Sequence, residues 1–164
     1  MMRGTKIVVS VVMIVIISAC QSQPITYYTP PAGVPLEDSA TLVGSKVLIR
    51  NIFFADEITY VYAIDELPLE GGSKNYDKPI PLVPGRHVVT IGFAQGSGCA
   101  KATFELNALG GKAYLARCEN IGRESIFRPE NLRIWIEDSE GNQATNDTIV
   151  PFGHCGGGFG LIIV

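Results

Sequence analysis

The residue types able to do chemistry are few in this chain, and they are scattered. Two histidines, His87 and His154, lie far apart in sequence. Asp56-Glu57 and Glu137-Asp138 are paired carboxylates, the groups that general acid–base catalysis or calcium binding requires. Both pairs fall at predicted strand ends, where solvated charge is the ordinary reading. Asp138-Ser139-Glu140-Gly141-Asn142 has the oxygen-rich composition of a calcium loop but lacks the twelve-residue spacing and the terminal bidentate glutamate. His154-Cys155 offers two ligands where zinc takes four, and chain neighbours do not give the apposed geometry of a Cys–His nucleophile. The sequence holds no G-x-S-x-G, no H-E-x-x-H and no phosphate-cradling glycine loop before a helix. His87 follows a turn at a strand start and reads as structural, and Trp135 is expected in or near the core. No catalytic residue, metal or cofactor is predicted.

The elements around these residues begin with an unusual N-terminus. Of 164 residues, 46% are hydrophobic and 18% charged, with a net charge of −3. Residues 1–19 contribute much of the valine and isoleucine and only two charges, Arg3 and Lys6. Without them, 11 basic and 16 acidic side chains remain and the net charge is −5. The remainder suits one domain. Its acidic balance argues against nucleic acid, which needs a basic face.

The basic start is followed by an apolar run from Ile7 to Ile17, eleven residues where a membrane-spanning helix needs about 20. The pattern predicts a cleavable export signal over 1–19. Ile17-Ser18-Ala19-Cys20 resembles the lipobox of bacterial lipoproteins. The resemblance implies a diacylglyceryl thioether on Cys20, cleavage before it and acylation of the new amine, palmitate being a typical chain. One acyl chain binds a membrane only marginally, whereas two or three hold firmly. Gln21 follows Cys20, and the sorting rule of this class retains proteins with Asp there in the inner membrane. The resemblance therefore implies the outer membrane, facing the periplasm.

Residues 20–39 carry Pro24, Pro30, Pro31 and Pro35 and are expected to form a lipidated, semi-rigid tether. Tyr27 and Tyr28 interrupt it and are expected to pack the tether onto its own domain rather than to serve as a docking motif.

From Ala40 to Phe152 the pattern has period two in short segments. Strands are expected at Lys46–Phe54, Thr59–Ile64, His87–Phe93, Ala100–Leu106, Lys112–Glu119 and Leu132–Glu137. In the second of these, Thr59, Val61 and Ala63 alternate against Tyr60, Tyr62 and Ile64. Turn signals separate them, and Glu66–Lys78 reads as an exposed loop. A short helix within 105–112 or 123–131 remains an alternative. The expected fold is an all-β antiparallel sandwich of about seven short strands over 40–152, followed by a glycine-rich tail at 153–164. Its closing Phe159–Val164 reads as a last edge strand in preference to a segment that a partner pairs with.

Val61-Tyr62-Ala63-Ile64-Asp65, Ile80-Pro81-Leu82-Val83-Pro84-Gly85-Arg86-His87, Phe104-Glu105-Leu106 and Gly111-Lys112-Ala113-Tyr114 resemble the turn and hairpin phrases of small bacterial PEGA-like modules. The resemblance covers about half of the mature chain. It departs at Asp65, where Asp65-Glu66-Leu67-Pro68 stands in place of an acidic-Gly turn. It implies an extracytoplasmic β-sandwich used as a surface or interaction module, and no reaction.

Cys99 and Cys118 lie on two strands that a hairpin at Gly110-Gly111 would join. Opposing them also sets Glu105 opposite Lys112, a favourable cross-strand pair. An oxidising periplasm would then favour a Cys99–Cys118 disulfide. Cys155 is left as a buried thiol, an intermolecular partner or a substitute for one member of that bridge.

The expectation is a non-enzymatic lipoprotein, bound to the membrane through Cys20 and to other envelope proteins through its sandwich. A binder of small ligands or glycans is the alternative and would need an open aromatic face. An envelope hydrolase built on the acidic pairs and His87 is the remaining rival.

Overall fold

The computed structural model describes residues 26–30, 32, 33, 35, 37–49, 55–122 and 130–154. The predicted signal peptide, Cys20, Cys155 and Phe159–Val164 lie outside the described residues.

The chain forms two packed β-sheets. The first sheet holds, in spatial order, β10 (Thr148–Pro151), β9 (Asn131–Asp138), β8 (Ala113–Ile121), β1 (Ala40–Val43) and β5 (Ile80–Leu82). The second holds β11 (Gly153–His154), β7 (Gly98–Ala108), β6 (Gly85–Gln95), β3 (Glu57–Ile64) and β2 (Ser45–Val47), with β4 (Leu67–Pro68) beside the end of β3. Every pairing is antiparallel except that of β1 with β8. The sandwich expected from the alternation is therefore the fold. The strand series is longer than expected, because several three- and four-residue edge pieces escaped the pattern.

Alternation fills the space between the sheets. Strand β7 sends Ala100, Ala102, Phe104, Leu106 and Ala108 inward. Across from them stand Tyr114 and Ala116 of β8 and Leu132, Ile134 and Ile136 of β9. Full burial of each large aliphatic side chain contributes roughly 1.5–3 kcal/mol. Trp135 has the opposite parity to its core neighbours and is only half-buried, between Arg133 and Glu137 on the outer face. The core position expected for it is corrected by the register of β9.

A bulge in β3 corrects a second expectation. The register with β6 shifts between Val61 and Ala63, so Ile64 pairs with Val89 and Ala63 with Thr90. One extra residue reverses the alternation beyond it. Ile64 joins the core with 0% exposure, and Ala63 faces out with Tyr60 and Tyr62.

The hairpin expected at Gly110-Gly111 is a corner between sheets. Strand β7 pairs along its whole length with β6, while β8 pairs with β1 and β9. The Tyr114 hydroxyl secures this corner, accepting from Leu109 N at 3.0 Å and donating to the Asn107 carbonyl at 3.4 Å. That is the device of the tyrosine corner in β-sandwiches. Glu105 accordingly pairs with Arg86 on β6, and Lys112 with Glu140 at 2.7 Å. The expected Cys99–Cys118 bridge falls with the hairpin. Cys99 shares the outward parity of Lys101 and Thr103 in one sheet, whereas Cys118 points inward against the core from the other. Among the described residues no disulfide joins them.

Two further crossings take a single residue each. Gly44 carries the chain from β1 in the first sheet to β2 in the second, and Phe152 carries it from β10 to β11. Gly44 N donates to the Tyr76 carbonyl at 2.8 Å, and the next residue, Ser45, donates through Oγ to the Ala116 carbonyl at 2.7 Å. A Cβ on Gly44 would collide with the Thr59 carbonyl and stand 2.8 Å from that of Tyr76. Both obstacles are backbone. Gly44→Ala is therefore expected to lower stability by about 2 kcal/mol or more, in the range for overpacking. Urea denaturation checks this, and an unchanged midpoint would show that the crossing has room.

Candidate functional site

His87 and the paired carboxylates are dispersed over both sheets, and each has a local partner. Asp56 pairs with Lys46 at 2.8 Å and accepts from Ile49 N at 3.2 Å. The Lys46 hydrogen bond, reinforced by Ile49, holds its carboxyl below the usual aspartate value. Glu57, its neighbour, accepts from Asn120 Nδ2 at 2.6 Å across the sandwich. Glu137 accepts from Arg117 Nε at 2.7 Å and Trp135 Nε1 at 3.3 Å.

Asp138 organises the β9 end-turn. Its Oδ1 accepts from Glu140 N and Asn142 N, both at 2.9 Å, and its Oδ2 from Asn142 Nδ2 at 3.3 Å. These bonds, those from Asn142 first, depress the Asp138 pKa. The oxygen-rich loop thus uses its carboxylate to close a tight turn. Among the described residues no group of three or more His, Cys, Asp or Glu side chains is placed to hold a metal ion.

His87 is the most built-in of the candidates. It faces inward near the start of β6 and is 7% exposed. Nδ1 lies 2.8 Å from Asp65 Oδ2, and Nε2 lies 2.8 Å from the Val83 carbonyl oxygen. Both ring nitrogens are thus engaged by oxygens of the protein itself. Asp65 also accepts from Val88 N through Oδ1 at 2.9 Å, and its own N–H donates to the Val88 carbonyl at 2.8 Å. It sits with Glu66 in the two-residue turn between β3 and β4, at φ 49° and 67°. Those left-handed values favour glycine or asparagine, and here the carboxylate bonds compensate for their absence. His87 and Asp65 together clamp the β3–β4 hairpin and the β5–β6 connection onto one strand.

The tether meets the domain beside this clamp. Tyr28 N donates to the Pro68 carbonyl at 2.9 Å, and its hydroxyl donates to that of Pro81 at 3.0 Å. Its ring packs against the core, as expected, while Tyr27 is exposed. Burial, then the Asp65 charge, raises the Tyr28 pKa.

Two surface features were not foreseen. On the outer face of the second sheet the Tyr60 ring lies flat on Gly92, where any Cβ would strike it. Tyr62 stands edge-on beside it with ring centres 6.5 Å apart, and Lys101 Nζ sits 3.2 Å from the Tyr62 ring centre. The Tyr–Lys cluster became visible only through the β3 bulge and the pairing of Gly92 with Lys101. An open cleft of about 510 Å³ lies between Glu105 and Gln143, Ala144, Thr145, Asn146 and Asp147. Glu105 is paired with Arg86, and Asp147 with Arg133 at 2.8 Å. Among the described residues no aromatic side chain lines this cleft.

Comparisons with known protein families, curated proteins and solved structures found no match for the chain.

Two predictions follow from the clamp and the turn. In a double-mutant cycle with His87→Ala and Asp65→Ala, the coupling energy is expected to exceed about 0.5 kcal/mol, as for side chains in direct contact. Additive losses would show that the two act separately. Asp138 titrates below the ordinary 3.8 in the folded state, so its contribution is present above that value and is lost as pH falls through the folded pKa. Asp138→Asn is therefore expected to flatten the acid limb of the stability–pH curve below about pH 4. An acid limb as steep as that of the wild type would contradict it.

Proposed function

We propose that this chain is a non-enzymatic bacterial lipoprotein. Lipid on Cys20 holds it at the outer membrane on the periplasmic side, and its PEGA-like sandwich makes contacts with other envelope proteins. The observation that carries the reading is the lipobox-like Ile17-Ser18-Ala19-Cys20 behind a basic start and a short apolar run, with a proline-rich segment after it. The sandwich supports the second half. His87 and the four paired carboxylates, the groups a hydrolase would use, each serve a different local contact in the fold. The polar lining of the cleft gives no stacking platform to a glycan.

Expression of the full chain in a Gram-negative host, with labelled fatty acid and membrane fractionation, tests this. The wild type is expected to carry label and to sediment with outer membrane, and Cys20→Ala to lose both label and attachment. Equal release of the two proteins into the soluble fraction, without label on either, would remove the anchor.

A further inference from the structure

A proline-rich segment between an anchor and a domain acts as a spacer whose reach grows with its free length. In this chain the segment is fastened well before the first strand. Tyr28 bridges the two sheets. Its N–H donates to the Pro68 carbonyl of β4, beside the second sheet, at 2.9 Å. Its hydroxyl donates to the Pro81 carbonyl of β5, in the first sheet, at 3.0 Å. The ring packs against the core, as do Leu69, just after β4, and Ile80 of β5.

The same segment is held a second time before β1. Asp38 N and Ser39 N donate to the Pro35 carbonyl at 3.0 and 3.1 Å, and the Ser39 carbonyl accepts from Gly111 N at 3.1 Å. A Cβ on Gly110 would stand 2.8 Å from the Asp38 carbonyl oxygen, so this turn lies against the corner between β7 and β8. While both attachments hold, the residues between them add nothing to the reach.

Covalent geometry converts this into a length. Pro35, where the second attachment begins, lies fifteen residues after Cys20, and Tyr28 only eight. At no more than about 3.6 Å per residue, the two stretches span at most about 54 Å and about 29 Å. We propose that Tyr28 makes the segment a strap, holding the sandwich to a membrane on the short leash of the residues before it. Release of Tyr28 nearly doubles that leash. The leash rests on the lipid-anchor reading of Cys20, whereas the strap rests on Tyr28 and its contacts.

The test places the full-length lipidated protein on supported bilayers of phosphatidylethanolamine and phosphatidylglycerol. Neutron reflectometry reads the gap between bilayer and domain. Insertions of about seven glycine and serine residues are made after Gln21 or after Gly33. Gly33 is exposed and a Cβ there meets nothing within 4 Å, so that position has room. The insertion after Gln21 is expected to widen the gap, and the one after Gly33 to leave it unchanged. Combined with Tyr28→Ala, the insertion after Gly33 is expected to widen it too. Hydrogen exchange is expected to show the Tyr28 amide protected in the wild type and exchanging freely in Tyr28→Ala, with β6 and β7 protected in both. If Tyr28→Ala unfolds the domain, the two insertions in the otherwise wild-type chain decide alone. Equal widening by those two insertions, or a freely exchanging Tyr28 amide in the wild type, overturns the strap. Protein that leaves the bilayer while its Tyr28 amide stays protected supports the strap and overturns the anchor and its leash.

Discussion

The sandwich depends on a chain that changes sheets without a loop. At Gly44 the backbone passes from β1 to β2 so close to the Thr59 and Tyr76 carbonyls that no side chain fits. This one residue fixes three relations together. It puts β1 between β8 and β5, sets β2 on the edge of β3, and draws the segment after β4 back over the crossing through the Tyr76 carbonyl. Sandwich corners are commonly made by strands that switch sheets. Here the crossing at Phe152 repeats the device near the C-terminus. The Phe152 ring packs edge-on against Phe93 at 5.9 Å and lies over Gly98, so glycine again makes room for the switch.

With two crossings reduced to single residues, charge does much of the remaining positioning. Asp65, Asp138 and Asp56 each accept main-chain N–H groups at a turn or strand end, where such donors would otherwise lack partners. His87 completes the largest of these arrangements by linking the Asp65 carboxylate to the Val83 carbonyl. Carboxylates so engaged have lone pairs already committed to the backbone. The acidic character of the domain is therefore partly an architectural feature.

Alternation made the sandwich and its long strands legible. Ala100 to Leu106 reads the same in sequence and in space, and Leu132 to Glu137 is the expected strand with Trp135 on its outer face. Three kinds of information were not legible. Short strands such as β1, β5 and β10 have too few residues to show a period. The β3 bulge reverses alternation within an unbroken run of good strand formers, so Ile64 and Ala63 exchanged faces. Pairing partners also leave little trace: a four-residue turn serves a hairpin and a sheet-to-sheet corner equally well. The error over Cys99 and Cys118 came from that ambiguity, and the Glu105–Lys112 charge match appeared to support it. Each of those charges has its own partner elsewhere, Arg86 and Glu140, so complementarity between two strands is weak evidence for register when other opposite charges are available.

The edges of the two sheets are managed differently, which bears on how the domain meets others. Both edges of the first sheet carry proline, Pro81 in β5 and Pro151 in β10, and proline removes a donor that an added strand would need. The second sheet ends in β2, with Val47 53% exposed, and in the two-residue β11. Unprotected edges favour self-association through added strand pairing. On that argument the first sheet is closed to strand addition by composition. Contacts through strand pairing are left to the second sheet.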